Sequence, residues 1–375
     1  MTTKRYATAL ALVTAGSLVL SGCGSDDNSV RWTLDGADVA PIPTASVPVD
    51  CGGTQALSAE GSTAQKGAMD VFVAAYTQQC PGQQLSYTAS GSGAGVKQFI
   101  SGIVDFGGSD SPLKDSEARD AVDRCDGAPA WNLPMVFGPV AVVYRLDGVG
   151  ELVLSGELLA RIFSGAITRW NDPAIAALNA GAALPELPIT VVYRADESGT
   201  TDNFQKYLGA ASGGVWDRGA GKTFLGGVGQ GGQGSPGVAD AVALGQGAIG
   251  YVEWSFAQDK GLGMALIDSG SGPVELSPES ARTAIGAAEI KGQGNDLVID
   301  LEALYASDAP GAYPLVLVTY EIVCSKGYDP QTAQAVKAFL TTAATAGQAG
   351  MTGSGYVPLP ESFQQRLLTA IAAIA

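Results

Sequence analysis

The sequence predicts an α/β fold made of two domains, one inserted into the other. Three observations lead there. Strand-like and helix-like segments alternate after residue 54. Two long apolar runs, Met135–Leu146 and Tyr313–Cys324, bracket a middle section that has strands and helices of its own. Three times a strand runs into a short Ser/Thr/Gly stretch and then into a helix, the punctuation of an α/β sheet with its loops at the carboxyl ends of strands.

The elements follow in order. Thr54–Gln65 reads as a strand and then a loop. Ala64–Cys80 places Met69, Phe72, Val73 and Tyr76 at helical spacing. Gln84–Ser90 is a strand, a glycine-rich turn follows, and a helix is expected from Val96. Val104–Asp110 is a short strand ending in a loop, and Ser111–Val122 begins a polar helix. The middle section, about Asp147 to Gly311, holds helix candidates at Ser155–Phe163, Pro173–Asn179 and Asp202–Leu208. Its strand candidates are Ile189–Tyr193 and Ala248–Val252. Two helices, Pro330–Ala346 and Pro360–Ile374, close the chain, and no internal repeat is apparent.

Composition bounds the function. The chain has 375 residues, 46% of them apolar, enough for two domains with real cores. Its net charge is −16, from 21 basic and 37 acidic residues, which disfavours nucleic-acid binding. It has no histidine, so Ser-His-Asp and Cys-His catalysis and His-ligated metals are excluded. No Cys-x-x-Cys pair suggests a zinc ribbon, and no metal or other cofactor is expected.

The start of the chain reads as an address. Lys4 and Arg5 precede the apolar stretch Ala7–Leu20, which is short for a membrane span. Leu20-Ser21-Gly22-Cys23 then has the form of a bacterial lipobox, with cleavage before Cys23 and a lipid on its thiol. Residues 1–23 are thus a lipoprotein signal, and Gly24–Asp50, polar and proline-containing, is a tether. The remaining cysteines are Cys51, Cys80, Cys125 and Cys324, an even number in an exported chain, which favours two disulfides. Cys51 precedes the first strand and Cys80 ends the helix after it. This favours Cys51–Cys80 and leaves Cys125–Cys324, although three connectivities are open.

The junctions could seat an anion. In Ser90-Gly91-Ser92-Gly93-Ala94-Gly95 the backbone is nearly bare, and a helix start offers free N–H groups with partial positive charge. The stretch is neither a P-loop nor a dinucleotide fingerprint, since Lys97 and the glycines have the wrong spacing. Ser198-Gly199-Thr200 repeats the theme four residues after Arg194, and Gly61-Ser62-Thr63 is a third instance. Gly229–Gly234 does match G-x-G-x-x-G, but with Pro236 close behind and no clear strand before it, it reads as a flexible loop. Asp110 has the opposite sign. An acceptor-only carboxylate in an anion site repels its guest unless the guest carries a proton, as phosphate does and sulfate does not at neutral pH.

These residues resemble a known family. "SGSGAGVKQFISGIVDFGGSDSPL", "GAITRWNDPAIAALNAGAALP", "ITVVYRADESGTTDNFQKYL" and "GAIGYVEW" are similar, in order and spacing, to the substrate-binding lipoprotein of the bacterial high-affinity phosphate ABC importer. The likeness runs from about Leu57 to the C-terminus. It implies a type II periplasmic-binding-protein fold, with two α/β lobes, 51–140 plus 314–375 and 141–313, joined by two crossover strands and closing over one dehydrated phosphate. It implies ligand contacts from Thr63, the backbone of Ala64, Ser92, Arg194, Ser198, Gly199 and Thr200. Asp110 would accept the ligand proton, and Asp196 would hold the arginine. Relatives often have a larger apolar residue at position 64. The resemblance also implies an extracytoplasmic monomer without enzymatic activity, anchored by Cys23 to the cell membrane and serving permease subunits there. Sulfate or molybdate binding and phosphohydrolase activity are the alternatives; a role as adhesin or sensor leaves no mark in the sequence.

With the chain acidic overall, recognition would come from local dipoles and one arginine. Ligand affinity should therefore vary far less with salt than that of a nucleic-acid binder; a steep log–log salt slope in calorimetry would contradict this.

Overall fold

A computed structural model describes residues 47–375 of the chain. The signal segment, Cys23 and the tether as far as residue 46 lie outside the described residues. Nine strands form the central sheet: β1 (Ala56–Gly61), β2 (Gln84–Ala89), β3 (Phe106–Ser109), β4 (Ala130–Tyr144), β5 (Thr190–Arg194), β6 (Gln230–Gly232), β7 (Ala248–Glu253), β8 (Gly263–Met264) and β9 (Val316–Cys324). Their order is β2-β1-β3-β9-β4-β7-β5-β6, with β8 also on β4. Pairing is parallel among β1, β2 and β3 and among β5, β6 and β7; β9 runs antiparallel to β3 and β4, and β4 antiparallel to β7.

β4 is the long central strand. Up to Pro139 it pairs with β9, and from Val140 it pairs with β7. Both long apolar runs of the sequence are thus adjacent strands, buried on both faces, as their lack of polar alternation requires. The register slips between Thr319 and Tyr320, opposite Met135 and beside Pro134. Proline has no N–H for a ladder, and a bulge is where a central strand tolerates it.

Helices cover the sheet. Those that matter here are α1 (Lys66–Gln79), α2 (Ser92–Ile100), α3 (Asp115–Arg124), α4 (Gly156–Phe163), α5 (Gly199–Ala211), α6 (Gly234–Leu244), α7 (Pro330–Ala344) and α8 (Glu361–Ala372). α1 packs on α7, and Tyr76, Phe106 and Phe339 meet there with ring centroids 5.4 and 5.5 Å apart. On the other half of the sheet Phe204 stacks on Tyr251 at 4.3 Å and meets Phe163 at 4.7 Å. Each half therefore has its own aromatic core. Among the described residues no helix is long and apolar enough to cross a membrane.

Three local expectations change. α2 begins at Ser92, not Val96: of the glycine-rich run only Gly91 takes a left-handed φ, 109°, and the glycines after it are helical. α5 begins at Gly199, ahead of the expected Asp202, because Ser198 caps it by accepting from the Thr201 N–H at 3.2 Å. The Gly229–Gly234 stretch is not a flexible loop. Gln230–Gly232 pairs with Val192–Arg194, and Gly234 starts α6.

Both disulfides form: Cys51–Cys80, spanning 29 residues, and Cys125–Cys324, spanning 199. The second ties the end of α3 to the end of β9. Replacing Cys125 and Cys324 together by Ser should lower the unfolding free energy by about 2–5 kcal/mol, and by more than replacing Cys51 and Cys80, because the longer closed loop restrains the unfolded chain more. Denaturant melts of the two double variants check this, and equal losses would show that loop length does not set the effect.

Candidate functional site

The carboxyl ends of β1, β3 and β5 and the starts of α1, α2, α5 and α6 meet in one buried place. Six of the eight residues singled out from the sequence are tied into it by side-chain or close backbone contacts, and a seventh, Ser198, is fully buried and caps α5 by accepting from the Thr201 N–H at 3.2 Å. The eighth, Ala64, is fully buried beside Thr63, with its N–H donating to Ser62 Oγ at 3.0 Å and its carbonyl accepting from the Tyr356 hydroxyl at 2.7 Å.

Arg194 ends β5 and is 3% exposed. Its Nε and Nη2 donate to the two carboxylate oxygens of Asp196, at 2.8 and 2.5 Å. This fork fixes the plane of the guanidinium and leaves Nη1 facing inward, where it reaches Ser235 Oγ at 3.3 Å. Burial would raise the Asp196 carboxyl, but the bonds and charge of Arg194, with the Gly234 N–H at 3.0 Å, hold it below the usual carboxylate range. The pair is ionic, buried and neutral in sum.

Asp110 follows β3 and is 1% exposed. Oδ1 accepts from Thr319 Oγ1 at 2.8 Å and Oδ2 from Thr200 Oγ1 at 3.0 Å. Its N–H donates to Ser92 Oγ at 3.1 Å, and its carbonyl accepts from Asn203 Nδ2 at 2.6 Å. Burial pushes its carboxyl up from the ordinary value, against the hydroxyls of Ser62, Thr319 and Thr200 and the charge of Arg194.

The site is closed by contacts between segments far apart in sequence. Thr63 Oγ1 and Ser235 Oγ are 2.8 Å apart. The Gly93 N–H donates to the Glu197 carbonyl at 2.9 Å, Ser111 Oγ to Asp202 at 2.6 Å, and Lys97 pairs with Glu197 at 2.5 Å. Gly199 sits so close that a Cβ there would lie 2.7 Å from both Ser92 Oγ and the Asp110 Cβ. Neither α1 nor α2 has a side-chain cap at its N-terminus, so the start of each helix relies on backbone partners or a guest.

Sequence reasoning missed Ser235 and Thr319, and it noted Ser62 only as part of the first junction. Ser235 had a signal, since it directly follows the G-x-G-x-x-G match; reading that match as a flexible loop hid it. Thr319 had none, because nothing marks one polar residue in an apolar strand as facing a carboxylate 209 positions away. Together the residues make a buried polar cluster with hydroxyl and amide donors, one guanidinium edge held by Asp196, and the separate carboxylate of Asp110.

Known proteins are similar to this chain. The family model described as a PBP superfamily domain matches residues 48–345. The phosphate-binding protein PstS 3 of Mycobacterium tuberculosis is 53% identical over the whole length of both chains, and that of Mycobacterium leprae 51%. The phosphate-binding protein PstS of Pasteurella multocida is 35% identical over 76% of this chain and 81% of its own. Among solved structures, a high-affinity periplasmic phosphate-binding protein bound with phosphate aligns with TM-score 0.66 at 22% identity, covering 84% of this chain and 93% of that one. The phosphate-binding protein from Stenotrophomonas maltophilia aligns with TM-score 0.64 at 20% identity, over 84% and 94%. These structural likenesses share the type II periplasmic-binding-protein fold with this chain. On the strength of the family model and the full-length relatives, this chain belongs to the PstS phosphate-binding protein family within the PBP superfamily.

Proposed function

We propose that this chain captures inorganic phosphate between two lobes and delivers it to an ABC permease, binding it without turnover. The observation that carries the reading is the buried juxtaposition of the Arg194 guanidinium edge with the single carboxylate of Asp110, among hydroxyls and helix N-termini. Arg194 would bind through Nη1, oriented by Asp196. Thr63, Ser92 and Ser198 would donate hydroxyls, Thr200 would turn its hydroxyl from Asp110 to the ligand, and the backbone at Ala64 and Gly199 would donate N–H groups. Because Asp196 neutralises Arg194, the attraction comes from dipoles and hydrogen bonds, in keeping with an acidic chain.

Asp110 supplies the selectivity. When ionised it can only accept, so it takes the proton of a phosphate oxygen and repels sulfate, which has none at neutral pH. Lobes of residues 51–140 plus 314–375 and 141–313 fit the change of β4 partner between Pro139 and Val140. Opening them would break the Thr63–Ser235, Gly93–Glu197 and Ser111–Asp202 bonds, giving the permease two states to distinguish. The chain would work outside the cytoplasm as a monomer, held to the membrane by a lipid on Cys23; its disulfides suit that oxidising side.

Calorimetry tests the reading. Phosphate should bind in the micromolar range or tighter, about −8 kcal/mol or better, and sulfate far more weakly. Sulfate bound as tightly as phosphate would favour the reading of a general oxyanion receptor. Asp110→Asn should narrow the phosphate–sulfate gap. Arg194→Ala should weaken phosphate binding by about 2–5 kcal/mol, since it removes the fork and strands the Asp196 charge.

Gly199→Ala should weaken phosphate binding while leaving the thermal midpoint nearly unchanged, because its methyl would collide with Ser92 and Asp110 only when the site is closed. Titration and thermal melts of this variant check both halves; unaltered affinity would mean that the closed contact is not needed.

A further inference from the structure

Ser235 joins the first ligand loop to the arginine. It is fully buried and is the second residue of α6. Its N–H donates to Thr63 Oγ1 at 3.1 Å, and its hydroxyl lies 2.8 Å from the same oxygen. That hydroxyl also accepts from Arg194 Nη1 at 3.3 Å. Thr63 packs closely here: a Cβ on Gly234, whose φ is a left-handed 66°, would lie 3.3 Å from the Thr63 methyl carbon. The start of α6 has no donor left for a guest. The Gly234 N–H goes to Asp196 at 3.0 Å, the Ser235 N–H goes to Thr63, and Pro236 has none. α6 therefore serves the site through the side chains it holds, not as an anion seat.

Counting protons and lone pairs sets the direction of the bond between the two hydroxyls. Each hydroxyl has one proton and two lone pairs. Arg194 can only donate, so it fills one lone pair of Ser235 Oγ, and the Ser235 N–H fills one lone pair of Thr63 Oγ1. If Thr63 gave its proton to Ser235, it would face an anion with a bare lone pair. If Ser235 donates instead, both lone pairs of Thr63 are filled and the Thr63 proton is left for the guest. Donation from the guanidinium also polarises the Ser235 hydroxyl and makes it the better donor. We propose that Ser235 is a positioning residue that passes hydrogen bonding from Arg194 to Thr63 and on to phosphate, so that Thr63 can only donate and the site favours the phosphate dianion over the monoanion. This rests on the phosphate reading above and deepens it.

The dianion has one proton, which Asp110 accepts in that reading, and its other three oxygens only accept. The monoanion has a second proton and needs a second acceptor. With the Ser235 hydroxyl in place, Thr63 cannot supply one. Without that hydroxyl, Thr63 still accepts from the backbone N–H at position 235, but its other lone pair is free and its proton can turn away from the guest. The contact then loses strength toward the dianion and gains an acceptor for the monoanion. The charged groups in this network are Arg194, Asp196 and Asp110. Arg194 holds the Asp196 carboxyl low, against the burial that would raise it, and burial raises that of Asp110.

The test is calorimetric titration of inorganic phosphate into wild type, Ser235→Ala, Thr63→Val, Thr63→Ser and the two double variants. It runs from about pH 5.5 to about pH 8.5, across the second ionisation of phosphate. At the alkaline end Ser235→Ala should weaken binding about three- to ten-fold. The same substitution should cost nothing further in Thr63→Val, which has no hydroxyl to direct, and should recover its cost in Thr63→Ser, which has one. The ratio of Ser235→Ala to wild type at each pH cancels the ionisations that both proteins share, and the loss should shrink toward the acidic end. An equal cost in all three backgrounds, or a loss that does not change with pH, would overturn the relay and leave Ser235 a packing residue. Should Thr63→Val fail to fold, the pH dependence of the ratio decides alone. Wild type that binds no phosphate would overturn the functional reading and the relay together; wild type that binds, with additive losses, would overturn the relay alone.

Discussion

The structure depends on one strand shared between two sheet halves. β4 hydrogen-bonds to β9 through Pro139 and to β7 from Val140 onward, so one continuous strand belongs to both halves of the sheet. Everything in the site is referred to that strand. β9, beside it, carries Thr319 to Asp110. β7, on its other flank, carries Tyr251, whose hydroxyl lies 2.7 Å from Thr201 Oγ1 at the start of α5.

The interior of this acidic protein is organised by how each buried charge is settled. Arg194 and Asp196 neutralise each other in a forked pair, with the Gly234 N–H filling a remaining lone pair. That is the condition under which a buried ion pair is tolerable. Asp110 is settled by hydroxyls, and Glu253 by the Ser255 N–H at 3.1 Å. Glu321 has no such partner.

Contacts that cross the site differ in kind. Lys97–Glu197 is largely exposed and contributes little on its own. Lys222–Glu117 and Ser111–Asp202 are more enclosed and bind α3 and its approach to the α5 region. A closed form held by a few polar bonds of modest strength can reopen, as repeated capture and release requires.

By itself the sequence determined the fold class, the order of the main elements, the disulfide partners favoured by position, and the residue types gathered at the three junctions. Periodicity, punctuation by Gly and Ser, and apolar runs are local signals, and they located β1 to β4, β9, α1 and α7 within a few residues. The glycine-rich junction before α2 showed a bare backbone but not where its helix begins, because glycines in a helical turn look like glycines in a loop until Gly91 alone takes the positive φ. The tertiary structure alone decided that Ser235 stands between Thr63 and Arg194 and that Thr319 faces Asp110. Those pairings join residues more than a hundred positions apart, or on strands that are neighbours only through the sheet order. A pattern read along the chain contains no information about which polar residue of an apolar strand will meet which loop, since register and the bulge beside Pro134 set that, and both are properties of the assembled sheet.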